Sequence, residues 1–158
     1  MRSRYTLLRE VRAPGDVLLL LRAASMMALV PALMWLSPST LAVLLERVPV
    51  ATRARARTQQ RARPIVDALL ALMAPLVTHR CQLRALTLYY LLRRAGSDVG
   101  LAFGVADSPR FTEGHCWLTS EGEPYLERRD PRPVFVELYR IPRERASLAR
   151  GRHRVGAR

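Results

Sequence analysis

At Gly96 the hydrophobic period of the chain changes, and a chain that changes period once has few folds open to it. Before that point, residues 79–96 (HRCQLRALTLYYLLRRAG) carry a helical pattern. Leu83, Leu86, Leu88, Tyr89, Leu91 and Leu92 supply a broad apolar face, and Arg93 and Arg94 fall in the last turn. Gly96 stands where a left-handed cap is expected. After it, Val99, Leu101, Phe103 and Val105 alternate with Gly100, Ala102 and Gly104, the two-residue period of a strand. His115–Thr119, Glu123–Arg128 and Val134–Arg140 read as three further strands, with a turn at 106–109. Helices followed by short sequential strands predict an α+β fold with an antiparallel sheet.

Upstream of the period change the chain reads as helical. Asp16 is the expected N-cap of a helix reaching about Trp35. Ser37-Pro38 restarts a second one that continues to about Val48. The run Ala23–Leu45 is uncharged and long enough to span a bilayer, but Pro31 and the Ser-Pro-Ser-Thr cluster cut it in two. A buried helical hairpin is expected, with peripheral membrane contact as the alternative. Residues 51–63 are helix-compatible but poor in large apolar side chains, which predicts a solvated connector with Arg53, Arg57 and Arg61 forming a stripe. Pro64 is expected to open the next helix, ending near Pro75, and Thr78 or His79 to cap the helix after it. The divisions are therefore 1–63, a helical region; 64–143, the core; and 144–158, a basic tail.

The net charge is +13, carried wholly by arginine, since the chain has no lysine. Such exclusive use points in part to coding bias, so the charge alone assigns no partner. No aromatic residues interleave with the basic stripe, which argues against nucleic-acid binding. Two cysteines make no disulfide framework in 158 residues, and no clear export signal is present, so the expected compartment is the cytoplasm.

The chemistry-bearing residues lie in the second half. Cys81 begins a helix, where unpaired N–H groups and the positive end of the dipole favour a thiolate. His115 opens a strand in a polar context, Thr112-Glu113-Gly114. If Ser120-Glu121-Gly122 forms a three-residue hairpin loop, Thr119 faces Glu123, Trp117 faces Tyr125, and His115 faces Glu127. A two-residue loop would instead turn Glu127 away from His115. Asp130, of opposite parity, is the other candidate acid and would reach His115 only around a bulge. Cys81, His115 and Glu127 then form a nucleophile, a base and an orienting acid, with N–H groups near Cys81 and Gln82 available to an oxyanion. Zinc held by His79, Cys81, His115 and Cys116 has the wrong geometry, because neighbouring strand residues point to opposite faces; Cys116 is expected to point into packing. No metal is predicted. His79 reads as a capping or surface residue and His153 as part of the tail.

C-x-L-R-A-L-x-L-Y-x-L-L-R-R-x-G over 81–96, Gly104-Val105 at a strand end, and x-H-x-W-L over 114–118 before a Glu-Gly turn resemble a small transglutaminase-like family, the leader peptidases of lasso-peptide biosynthesis. The likeness covers about residues 64–128, with a weaker one before it. It implies a transglutaminase-like (papain-like) core in which the nucleophile helix packs on a small antiparallel sheet after N-terminal helices. The triad carried over is Cys81, His115 and Glu127, with Glu where the family usually has Asp. Gln82 and Cys116 stand where Leu and Ala are frequent. The implied activity is cofactor-free cleavage of a leader from a precursor peptide, beside a lasso cyclase. Residues 1–65 lack the strands of a winged-helix-like recognition module, so a separate leader-recognition protein is the expected partner. Acyl transfer to an amine on the same fold, or a non-catalytic scaffold role at a membrane surface, are the alternatives.

Overall fold

Pro14 fixes where the first helix starts. In the computed structural model, which describes residues 11, 13–53, 55–74, 80–106 and 113–142, α1 spans Pro14–Leu33 with the proline in its first turn. The cap expected at Thr78 or His79, His153, the tail and most of the turn after Ala106 lie outside the described residues. Asp16 is not the N-cap. Ala13 holds that position, because the preset φ of Pro14 begins the helix earlier. Asp16 sits instead inside the first turn, buried, with Arg57 Nη2 at 3.6 Å and Arg61 Nε at 3.7 Å. The positive helix end and two guanidiniums together compensate that buried charge.

Helix α2 spans Pro38–Glu46, and the Ser37 hydroxyl accepts from the Thr40 N–H at 3.3 Å, the expected cap. The α1–α2 hairpin contributes Leu19, Ala23, Met26, Met27, Val30, Leu41 and Leu45 to the core. Its other side is not buried as expected: Leu18, Leu21, Leu29 and Val43 are exposed, as is Trp35, at 90%. By length and composition α1 is apolar enough to cross a membrane, and a soluble core helix passes the same test.

Helix α3 spans Ala56–Met73 and corrects two expectations. Residues 56–63 are not a solvated connector, and Pro64 lies inside the helix rather than opening it. Ala62 is fully buried, Gln59 Nε2 donates to the Ala95 carbonyl at 2.9 Å, and the Arg57–Asp16 and Arg61–Asp16 pairs anchor the same turns. These tertiary contacts offset the hydrogen bond that the proline cannot donate.

Helix α4, Arg80–Arg94, is the axis of the molecule. Leu83, Ala85, Leu86, Leu88, Tyr89, Leu91 and Leu92 are all buried, so nearly its whole circumference is covered. α1 and α3 pack against it on one side and the sheet on the other. Gly96, at φ +87°, ends it as expected: the Ser97 N–H bonds the Leu92 carbonyl at 2.9 Å and the Gly96 N–H bonds Arg93 at 3.0 Å. Tyr89 donates its hydroxyl proton to the Leu45 carbonyl at 3.0 Å, fastening the hairpin to α4.

The strands are β1 (Gly100–Ala106), β2 (Gly114–Ser120), β3 (Glu123–Tyr125) and β4 (Phe135–Ile141). They form one antiparallel sheet in the order β3-β2-β1-β4. Leu101, Cys116, Leu118 and Ile141 join the core shared with α4. Because β3 and β4 lie on opposite edges, the chain between them must cross from one side of the sheet to the other. The architecture is the α+β arrangement that the change of period predicts.

Candidate active site

Cys81 is in the first turn of α4, half-buried, and α4 packs on β2. His115 is the second residue of β2. The two side chains line one open cleft of about 800 Å³, together with Arg84, Glu127, Asp130 and Phe135. The segment that crosses from β3 to β4 also lines it. There the buried Pro131 accepts hydrogen bonds from the Val134 and Phe135 N–H groups at 3.0 and 2.9 Å.

The hairpin register differs from the one expected. Glu121 and Gly122 both have positive φ, +53° and +86°, so the loop has two residues, the form whose twist matches the flanking strands. Ser120 pairs with Glu123, Thr119 with Pro124, and Leu118 with Tyr125. The pairings Trp117–Tyr125 and His115–Glu127 are therefore not made. β3 nevertheless stops after three residues, because Leu126 adopts φ +60° and breaks the alternation. Beyond that break Glu127 lines the same cleft as His115, and its negative charge opposes the lowering of the imidazole pKa by burial. Asp130 lines the same cleft but is committed elsewhere. Its carboxylate accepts from Arg132 Nε at 3.0 Å, Nη2 at 2.6 Å and the backbone N–H at 3.0 Å, which hold it below the usual carboxylate range.

Two aromatic rings hold the imidazole. His115 stacks on Phe135 at 4.8 Å between centroids and on Trp117 at 5.9 Å. Trp117 is buried, and its ring occupies the space beside Gly104, the residue paired with His115 across the sheet. Burial lowers the His115 pKa from its ordinary value; the Glu127 charge opposes that shift and Arg84 adds to it. A neutral imidazole suits a proton acceptor at neutral pH. Cys116 faces the core, as expected, and burial pushes its thiol well above the ordinary range, with Cys81 and Glu127 adding to the effect. Among the described residues no group of three His, Cys, Asp or Glu side chains could hold a metal ion.

Arg84, which sequence reasoning left without a role, organises the acid side of the cleft. Its Nε donates to Asp67 of α3 at 2.8 Å, Nη1 to Glu127 Oε1 at 3.0 Å, and Nη2 to the Leu126 carbonyl at 2.9 Å. One guanidinium thus joins α3, α4 and the strained Leu126 turn, a fork geometry that lysine cannot reproduce. The available signal was position: an arginine three residues after Cys81, amid the apolar face of the same helix.

No curated protein and no solved structure shows a significant match to the chain. Residues 23–140 do match a family model described as the transglutaminase-like superfamily. That stretch runs from within α1 into β4 and includes Cys81, His115 and Glu127. With a helix-borne cysteine and a strand-borne histidine open to one cleft in an α+β core, the chain belongs to the transglutaminase-like superfamily, a fold of cysteine peptidases and acyl transferases.

Proposed function

We propose that the protein is a cysteine peptidase that removes the leader from a ribosomally made, lasso-type precursor peptide. The observation that carries the reading is the placement of Cys81, in the first turn of a buried helix, and His115, at the start of β2, on the same cleft. The imidazole takes the thiol proton, and the Cys81 sulfur attacks the scissile carbonyl carbon. The tetrahedral intermediate collapses as the C–N bond breaks, and the imidazolium returns its proton to the leaving amine. Water, deprotonated by the same imidazole, then cleaves the thioester to a carboxylic acid and free thiol. Glu127 supports the imidazolium through its charge, and backbone N–H groups at the helix start take the oxyanion. The lasso-type substrate is supported by the motif spacing over 81–96 and 114–118. On this reading the protein works in the cytoplasm with a separate winged-helix-like recognition protein and passes its product to a lasso cyclase.

The test combines the protein, a lasso-type precursor and its recognition partner, with mass spectrometry of the products. Two fragments whose masses sum to the precursor plus one water support hydrolysis; a leader fragment joined to an amine shows acyl transfer instead. Cys81→Ala should abolish either product while the melting curve stays intact. Undiminished processing by that variant would sink the proposal. Thiol titration gives a second check. Native protein should show one reactive thiol, Cys81, and unfolded protein two, because Cys116 is buried.

A further inference from the structure

The carboxylates that line the cleft are already paired. Asp67 is held by Arg84 at 2.8 Å and Arg63 at 3.7 Å, Glu127 by Arg84 at 3.0 Å, and Asp130 by Arg132 at 2.6 Å. Three arginines lining the same cleft are different. Arg80, Arg128 and Arg129 are exposed, and none has an ion-pair partner among the described residues. Arg80 immediately precedes Cys81. Arg128 and Arg129 follow Glu127 in the segment after β3 and also line a smaller depression with Glu123 and Arg132. Among the described residues, positive charge without an ion-pair partner therefore lines the cleft from the helix that bears Cys81 and from the segment after β3.

We infer that the cleft selects peptide segments carrying acidic side chains within a few residues of the attacked carbonyl, gripped by Arg80 from the helix side and by Arg128 and Arg129 from the segment after β3. This inference rests on the reading of Cys81 as nucleophile only for the location of the attacked bond. The spacing follows from chain dimensions. Arg80 and Cys81 have Cα atoms about 3.8 Å apart, and consecutive helical side chains diverge by about 100°. An extended peptide advances about 3.3–3.6 Å per residue, so a carboxylate held by the long Arg80 side chain lies within a few residues of the bond at the sulfur. A guanidinium meets a carboxylate bidentately, which fixes the orientation of the segment as well as its charge. No internal carboxylate has to be displaced first, because those in the cleft keep their own partners.

The experiment uses the full-length Cys81→Ala protein, so that binding is read without turnover. A rhodamine-labelled peptide, Ala-Ala-Glu-Glu-Ala-Ala, and its Gln-Gln counterpart are titrated by fluorescence anisotropy at low and at physiological salt. The acidic peptide should bind roughly three- to tenfold more tightly, the sum expected of a few exposed ion pairs, and the advantage should shrink with salt. Arg80→Gln, Arg128→Gln and Arg129→Gln combined should erase it; all three side chains are exposed, and a melting curve checks that the fold is retained. Equal affinity for the two peptides, no binding of either, or an advantage that survives the triple change would overturn the inference. So would displacement of the acidic peptide by a single-stranded oligonucleotide at lower concentration than by unlabelled acidic peptide. Failure of Cys81 to cleave precursor would count against the peptidase reading and leave these binding results standing.

Discussion

Arg84 reaches Glu127 across the cleft wall, with Nη1 donating to Oε1 at 3.0 Å, while the same guanidinium bonds the carbonyl of Leu126 beside it. Leu126 is held at φ +60°, where a branched side chain is strained, and it is the residue that turns Glu127 toward the cleft. The position of the acid is therefore set by a helix side chain and a backbone turn rather than by strand pairing.

Arg84→Gln removes three bonds at once and leaves Asp67 and Glu127 short of a partner. The Arg84 side chain is mostly buried, 17% exposed, so a loss of about 1–3 kcal/mol is expected. That corresponds to a melting point lowered by roughly 3–10 °C. Arg84→Lys should recover only part of it, since a point charge cannot serve three acceptors in a fork. Activity should fall further than stability does, because Glu127 loses its place. Equal melting points for Arg84→Gln and the parent protein would show that the network carries no load.

Glu127 and Asp130 are separable. Glu127→Gln should lower processing by roughly ten- to a hundredfold, whereas Asp130→Asn should stay within about threefold. The Asp130 carboxylate is committed to Arg132, and Glu127 is the carboxylate whose charge opposes the lowering of the His115 pKa by burial. The discriminating readout is the pH–rate profile: removing the Glu127 charge should move the acid limb to lower pH, and Asp130→Asn should leave it in place. The reverse assignment would put the orienting role on Asp130.

The fold could be read from the sequence further than the site could. The helical face of residues 83–92, the cap at Gly96 and the alternation over 99–105 are local patterns, and each appears in the structure where local physics puts it. Cys81 and His115 were legible for the same reason, one by its place at a helix start and the other at a strand start. Glu127 was named through a register that the chain does not adopt. A non-glycine residue at positive φ, Glu121, allowed the shorter loop, and a second, Leu126, reversed its consequence; neither conformation is written in residue type. Pro64 misled for a related reason, because what carries the helix past it is the contact of Gln59, Arg57 and Arg61 with distant groups.

The pH response of His115 follows from its burial. Its pKa in the folded protein lies below the ordinary value of 6.5, so the imidazole stays neutral, and able to accept a proton, somewhat below that pH. Processing should hold level as pH falls to about 6.5 and decline only beyond it. Stability moves in the same direction. The unfolded chain binds the proton first, so the contribution of His115 is fully present above pH 6.5 and is lost as pH falls toward the folded value. Denaturant midpoints measured across this range should fall less for His115→Ala than for the parent. An identical pH slope in the two proteins would show that the imidazole is as solvated folded as unfolded.

Gly104 ties the sheet to the orientation of the base. A Cβ there would stand 2.7 Å from the Val136 carbonyl oxygen and 2.9 Å from the Trp117 ring, and neither can yield cheaply, one being backbone and the other a buried ring. Gly104→Ala should cost about 1–3 kcal/mol, as overpacking does. Trp117 must shift, and His115 stacks on it, so catalysis should fall with stability while the cleft carboxylates are untouched. Fluorescence reports the movement directly. Trp35 is 90% exposed and should emit unchanged, so a red shift on substitution belongs to Trp117. Gly15→Ala is the control, since a Cβ there meets nothing within 4 Å. A Gly104→Ala protein with parental emission and parental activity would mean that the ring is not what positions the imidazole.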